Sequence, residues 1–198
     1  MPQNCRDLRS GHMEHNRGRL ILPHSFNTKL MSVAFGGLCT LAGCGSPSLP
    51  KLPTLSTPSA SAVDCMARAM YFESNRSSRD GMIAVGSVVM NRVRSDAFPD
   101  TVCDVVGQKN QFAPGVMTKR MVDSGAPLAR ASAQAVLRGE RHPKIANAQF
   151  FHAAWYNASY NNMHYVLTTG GNAFYEKRRP ENVTVRSPVK PTEGITGS

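Results

Sequence analysis

Between Arg79 and Ser95 the chain places Met82, Ile83, Val85, Val88, Val89 and Val93 at helical spacing, which gives one helix a wide apolar face. Valine and isoleucine have only moderate helix propensity, so burial against other elements must hold this helix in place. A chain that contains it has to wrap it, and the rest of the sequence supplies the wrapping. The helix is predicted to stop before Phe98-Pro99-Asp100, because the residue ahead of a proline is pushed out of the α region.

Ahead of it lies a second amphipathic segment, Asp64 to Glu73, with Asp64 as the expected N-cap. Val102 to Val106 reads as one short helical turn, and Pro127 to Arg138 as a further helix with Gly139 past its end. From Ala148 the pattern changes to Gln149-Phe150-Phe151-His152, a short strand, followed by a polar loop rich in Asn and Tyr. Tyr165 to Thr169 and Asn172 to Tyr175, around Gly170-Gly171, predict a β-hairpin. The fold class is therefore α+β, mainly helical, with a small β-hairpin element. Pro180, Pro188 and Pro191 mark residues 179–198 as a tail expected to be disordered.

The first residues read as an export signal. Lys29 precedes an apolar run from Leu30 to Ala42, too short to span a bilayer, and Leu41-Ala42-Gly43-Cys44 follows the pattern of a bacterial lipobox. On that reading residues 1–44 are a lipoprotein signal segment and Cys44 carries the lipid that anchors the chain to the cell envelope membrane. The plain alternatives are an ordinary cleaved signal or a buried helix with an incidental Cys. Residues 45–62 form a Ser- and Pro-rich tether, and 63–178 the functional domain. Export places Cys65 and Cys103 in an oxidising compartment, where they are either bridged, tying the Glu73 helix to the segment after Phe98-Pro99, or two buried thiols.

Charge narrows the partners. The whole chain carries +10, and 18 basic against 11 acidic residues lie beyond residue 44, which favours an anionic partner such as a wall polymer. The basic residues are scattered, without a stripe of Arg and interleaved aromatics, so no nucleic-acid partner is expected. His142, His152 and His164 lack ligand spacing, so neither a metal nor another cofactor is expected. A monomer is assumed.

The residue on which the chemistry turns is Glu73. It ends an apolar segment that includes Met70-Tyr71-Phe72, and directly after it the chain becomes polar, Ser74-Asn75-Arg76-Ser77. A carboxyl between aromatic rings and open solvent is desolvated enough to hold its proton near neutrality, as a general acid must. Asp80 lies about two helical turns on and reads as a cap or a solvent-facing group.

Several stretches, in order and at consistent spacing, resemble the SleB/CwlJ-type cell wall hydrolase family. They are Ala67-Arg68-Ala69-Met70-Tyr71-Phe72-Glu73, Asp80-Gly81-Met82-Ile83-Ala84-Val85, Val89-Met90-Asn91-Arg92-Val93 and Phe98 to Val106, followed by Gln111-Phe112 and the closing Gly171-Asn172-Ala173-Phe174-Tyr175. The resemblance spans about residues 64–177 and implies a lysozyme-like fold in which the hairpin lines a cleft and Glu73 is the catalytic acid. It also implies cleavage of peptidoglycan glycan strands, of muramidase or lytic transglycosylase type, without a cofactor. Two positions depart from the family pattern: Ser77 stands where a second Glu is common, and Asn172 where a His is common. Those departures support a rival reading, a non-catalytic peptidoglycan-binding lipoprotein that keeps the fold.

The remaining candidates each carry a plain alternative. Gln111 and Phe112 read as a sugar subsite, or as a loop residue beside a core aromatic. His152 reads as a substrate contact or as a satisfied rim histidine. Tyr156 and Tyr175 read as walls of the cleft or as ordinary half-buried aromatics. Asn91, in the middle of an apolar helix, is expected to satisfy the backbone of a loop.

Overall fold

The computed structural model describes residues 57–197, and among them no helix is long and apolar enough to cross a membrane. The expected signal segment, Cys44 and most of the tether lie outside the described residues.

Among the described residues the apolar segment is helix α2 (Arg79–Val93), and α1 (Ala60–Glu73), α3 (Val102–Gly107) and α4 (Gly125–Leu137) pack around it. The wide apolar face dictates the arrangement, since α2 packs against α1, α3, α4 and the sheet. Met82, Ile83, Val85, Val88 and Val89 are fully buried, each contributing roughly 1.5–3 kcal/mol of transfer free energy. Asn91 sits at the rim of this helix and donates from Nδ2 to the carbonyls of Ala146 and Ala148 at 3.1 and 2.9 Å. Cys65 and Cys103 form a disulfide across 38 residues of chain, fastening α1 to α3.

Helix α1 begins earlier than expected. Ser59 caps it, accepting from the Ala62 amide at 3.2 Å, so Asp64 is not the N-cap. One turn inside the helix, Asp64 instead pairs with Arg68 at 2.6 Å and with Arg130 of α4 at 3.2 Å.

The strands β1 (Phe150–Ala153), β2 (Met163–Thr169) and β3 (Asn172–Lys177) form an antiparallel sheet in the order β1-β3-β2. Gly170 and Gly171 make the β2–β3 turn, both with positive φ, the conformation a two-residue hairpin loop requires. The turn also touches α2 closely: a Cβ on Gly81 would lie 2.5 Å from the Gly170 Cα. Strand alternation divides the sheet. Phe151, Leu167 and Phe174 join the helical core, while Phe150, His152, Tyr165 and Tyr175 occupy the opposite face.

The tail expected to be disordered instead follows a defined path. A short 3-10 turn (Pro180–Asn182) leads to Val185, whose carbonyl accepts from the Tyr165 amide, and Thr192 donates to the Thr168 carbonyl at 2.9 Å. The end of the tail docks on the start of α2, where the Asp80 carboxylate accepts from the amides of Ile195 and Thr196 at 2.8 and 2.7 Å. Asp80 is therefore neither a cap nor solvent-facing; it is 2% exposed, and Ser78 caps α2. Prolines removed the strand signal, but they do not prevent isolated amides from meeting a buried carboxylate.

Candidate active site

Helix α1 ends at Glu73 because Ser74 turns back, its amide and hydroxyl both donating to the Met70 carbonyl at 3.2 and 2.8 Å. The hairpin then fixes this helix end. Asn172 donates from Nδ2 to the Glu73 carbonyl at 2.6 Å, and the Asn75 amide donates to the Gly170 carbonyl at 2.9 Å. The side chain is held from a third direction, by the Ala113 amide donating to Oε1.

The Glu73 carboxyl is half-buried. Burial raises its pKa above the ordinary value, and the Ala113 hydrogen bond and the Arg92 charge pull it only partly back. With Oε1 occupied, Oε2 remains to carry the proton. Among the described residues the charge acting on Glu73 is that of Arg92.

Arg92 leaves α2 with only 3% of its surface exposed. Its Nε donates to the Gln149 carbonyl at 2.8 Å, and the guanidinium lies over the rings of Phe98, Phe112 and Phe150 at 5.1, 5.3 and 5.9 Å. Burial lowers its pKa to about 10, against the opposing pull of Tyr175 and Glu73, so it stays cationic at neutral pH. Its Nη1 is buried with no hydrogen-bond partner in the protein.

The sequence candidates fall into two groups. His152, Tyr156 and Tyr175 come together on the outer sheet face, with ring centroids 5.4 Å apart for His152–Tyr156 and 5.7 Å for His152–Tyr175. His152 does not orient Glu73. Its Nδ1 donates to the Ala153 carbonyl at 2.9 Å, because a carbonyl only accepts, and its Nε2 is hydrogen-bonded with the Tyr165 hydroxyl at 2.8 Å. Burial raises the Tyr175 hydroxyl pKa, with Tyr165 adding and Arg92 opposing.

Gln111 and Phe112 separate. Gln111 is exposed, whereas Phe112 belongs to the core, 9% exposed and packed at 6.4 Å against Phe151 and under Arg92. Phe112 is thus mostly a core aromatic, with its remaining surface in the wall of a cavity. Its burial anchors the loop that presents the Ala113 amide to Glu73. That loop, residues 106–118, also walls a cavity of about 490 Å³, which Glu73 itself does not line.

Sequence reasoning missed Arg92 and Ala113. Arg92 was within reach, because it follows Val85, Val88 and Val89 at helical spacing and so lies on the buried face. Ala113 contributes through its backbone, which leaves no side-chain signal.

A profile of the cell wall hydrolase family matches residues 76–175, just over half of the chain. The chain belongs to the cell wall hydrolase family. The matched segment contains Arg92, Ala113, Asn172 and Tyr175, and Glu73 lies just ahead of it. Among curated proteins, a spore cortex-lytic enzyme of Oceanobacillus iheyensis is 35% identical over 63 residues, 30% of this chain and 23% of that protein. The match thus spans less than a quarter of that relative's length. Among solved structures, the catalytic domain of the germination-specific lytic transglycosylase SleB from Bacillus anthracis superposes with a TM-score of 0.50. It is 25% identical, and the alignment covers 60% of this chain and 97% of that one. The catalytic domain of the Bacillus cereus SleB protein gives 0.49 at 26% identity, over 68% of this chain and all of that one. This cell wall hydrolase shares with the Bacillus anthracis domain a mainly helical body and a small antiparallel sheet.

Proposed function

We propose that this cell wall hydrolase cleaves peptidoglycan glycan strands as a lytic transglycosylase, with Glu73 acting alone as acid and then as base. The observation that carries the proposal is a half-buried carboxyl with raised pKa, one oxygen held by the Ala113 amide and a buried cation, Arg92, nearby. No other carboxylate figures among the groups that shift the Glu73 pKa, and five among the described residues are engaged elsewhere: Asp64 with Arg68, Asp80 with the tail, Asp123 with Arg76, Glu140 with Arg79 and Glu176 with Arg178. A one-carboxylate site suits internal attack better than a water-consuming double displacement.

Protonated Glu73 gives its proton from Oε2 to the bridging oxygen as the bond from the anomeric carbon breaks, leaving an oxocarbenium-like sugar. The carboxylate so formed is stabilised by Arg92 and by the Ala113 amide already on Oε1. It then takes the proton of the muramyl C6 hydroxyl while that oxygen bonds to the anomeric carbon. The product end is a 1,6-anhydro sugar, no water is consumed, and Glu73 is again protonated. Asn172, where the family often has a His, donates from its amide to the Glu73 backbone carbonyl, so it positions the helix end and brings no titratable group to the reaction. The lipobox pattern at Cys44 supports export and anchoring, and Cys44→Ala is expected to move the protein from the membrane fraction to the soluble envelope fraction.

Purified sacculi incubated with the wild-type protein should release anhydro-ended muropeptides, read by mass spectrometry. Glu73→Gln should reduce release at least about 100-fold, the usual scale for a lost general acid. Equal release by both proteins, or none by either, defeats the proposal and leaves the non-catalytic wall-binding reading. Products with reducing ends assign a hydrolase instead.

A further inference from the structure

The outer face of the sheet carries a band of aromatic rings that the cleavage chemistry does not use. Trp155 and Tyr160, in the loop between β1 and β2, are 85% and 71% exposed, and Trp155 is the sole tryptophan of the chain. From Trp155 the rings continue through Tyr156, His152 and Tyr175 to Phe150, at centroid spacings of 6.4, 5.4, 5.7 and 5.6 Å. Trp155, Tyr156 and Tyr160 are exposed while the inner rings are half-buried, so the outer rings offer flat apolar faces to a ligand on a packed base.

Two cavities open along this band, and Lys177 lines both. One, of about 320 Å³, is walled by Tyr160, Asn162, Tyr175 and Lys177. The other, of about 390 Å³, lies between Phe98, Phe150 and Lys177 and also has Glu176 in its wall. The Lys177 ammonium sits 4.2 Å from the Phe150 ring centroid and forms no ion pair among the described residues. Of the two, the Tyr160 side holds a cation, an amide, two phenols and the Met163 thioether but no carboxylate, the setting an anion needs.

We infer that the Tyr160–Lys177 cavity is a binding subsite for one N-acetylated pyranose bearing a free carboxylate. This rests on the proposed glycan substrate. The Tyr160 ring stacks on the sugar face, Asn162 meets the N-acetyl group and Lys177 meets the carboxylate. The cavity is at the small end of ligand sites, sized for a sugar ring rather than a branched peptide. In a peptidoglycan strand the group that fits is N-acetylmuramic acid whose lactyl carboxylate is free, so the subsite selects strands already stripped of their stem peptides. An amidase-class reaction must then precede this enzyme on its preferred substrate.

The test uses the full chain carrying Glu73→Gln, so that no ligand is consumed, with Trp155 fluorescence and calorimetry as readouts. Three probes are titrated: a neutral chitin oligosaccharide, a peptide-free peptidoglycan strand of equal length, and the same strand with intact stems. The peptide-free strand is expected to bind about tenfold more tightly than chitin, a gap of about 1.4 kcal/mol. Adding Lys177→Gln should erase that gap, and Tyr160→Ala should weaken binding of both probes. Equal affinity for the first two probes, or a gap that survives Lys177→Gln, overturns the subsite; so does no binding at all. Tightest binding to the strand with stems overturns the lactyl assignment. Because the chemistry is switched off, these outcomes are independent of whether Glu73 proves catalytic in the sacculus assay.

Discussion

Glu73 and Arg92 act on each other electrostatically. Burial raises the Glu73 pKa and Arg92 limits how far it climbs; in the proposed reaction Arg92 would also steady the anion that proton transfer creates. Activity should fall as pH rises through the Glu73 folded pKa, because the acid form disappears. Arg92→Met removes the charge that lowers this pKa, so the alkaline limb of the pH–rate profile is expected to move upward while kcat drops; Arg92→Lys should keep the limb in place. An alkaline limb unmoved by Arg92→Met would detach the two residues. A second consequence concerns stability. A carboxyl whose folded pKa is raised above its unfolded 4.5 contributes fully below that value and loses its contribution as pH rises through the folded pKa. Glu73→Gln should therefore melt higher than wild type at pH 7 to 8, and thermal melts should show the advantage closing near pH 4. Glu73 was legible in the sequence as a carboxylate at an apolar helix end, and helical spacing put Arg92 within reach on the buried face of α2. The direction of the Ala113 amide depends on where the loop after α3 returns.

At the scale of elements, the site is assembled by contacts between segments far apart in the chain. The hairpin turn meets α2 backbone to backbone at Gly81 and Gly170, and the same turn holds the end of α1 through Asn75. Gly81→Ala should push the turn outward and lower both melting temperature and activity, and a variant that loses neither would show the close approach to be dispensable. The tail fastens this junction from outside: Glu193 accepts from the Gly170 amide and the Ser78 hydroxyl, both at 2.6 Å, beside the amides held by Asp80. Burial raises the Asp80 carboxyl, but the hydrogen bonds from Ile195 and Thr196 outweigh it and leave the pKa low. Its contribution is present above the unfolded value and is lost as pH falls through the folded one. His142 stands 4.0 Å away, its pKa depressed chiefly by burial, so acid charges it unfavourably as well. Asp80→Asn is expected to destabilise by about 1–3 kcal/mol at pH 7, with hydrogen exchange of residues 192–196 accelerated and the difference shrinking in acid. Reducing the Cys65–Cys103 bridge should remove about 4 kcal/mol by loop-closure entropy, close to 10 °C in Tm for a domain of this size.

For the whole molecule, the surplus of basic residues suits an anionic wall polymer. Retention on sacculi should accordingly weaken as salt rises toward 0.5 M, while the aromatic contacts of the outer sheet face persist; salt-independent retention would remove charge from the account. The helices were legible because each carries its own periodicity: a stripe of Val, Ile and Met must be buried whatever surrounds it. The hairpin was legible because Gly170-Gly171 supplies the positive φ that a two-residue turn demands. The tail was not, since its order comes from single amides reaching Asp80 and Glu193, and no periodicity records such bonds. Phe112 shows the same limit, because the sequence presents an aromatic beside Gln111 and only the packing of Phe151 and Arg92 decides that its ring is enclosed. Local sequence thus determined which segments are helices and strands and placed a carboxylate at the end of one of them. Tertiary structure alone decided the surroundings that shift that carboxylate's pKa, because burial, a distant cation and a borrowed backbone amide act through space rather than along the chain.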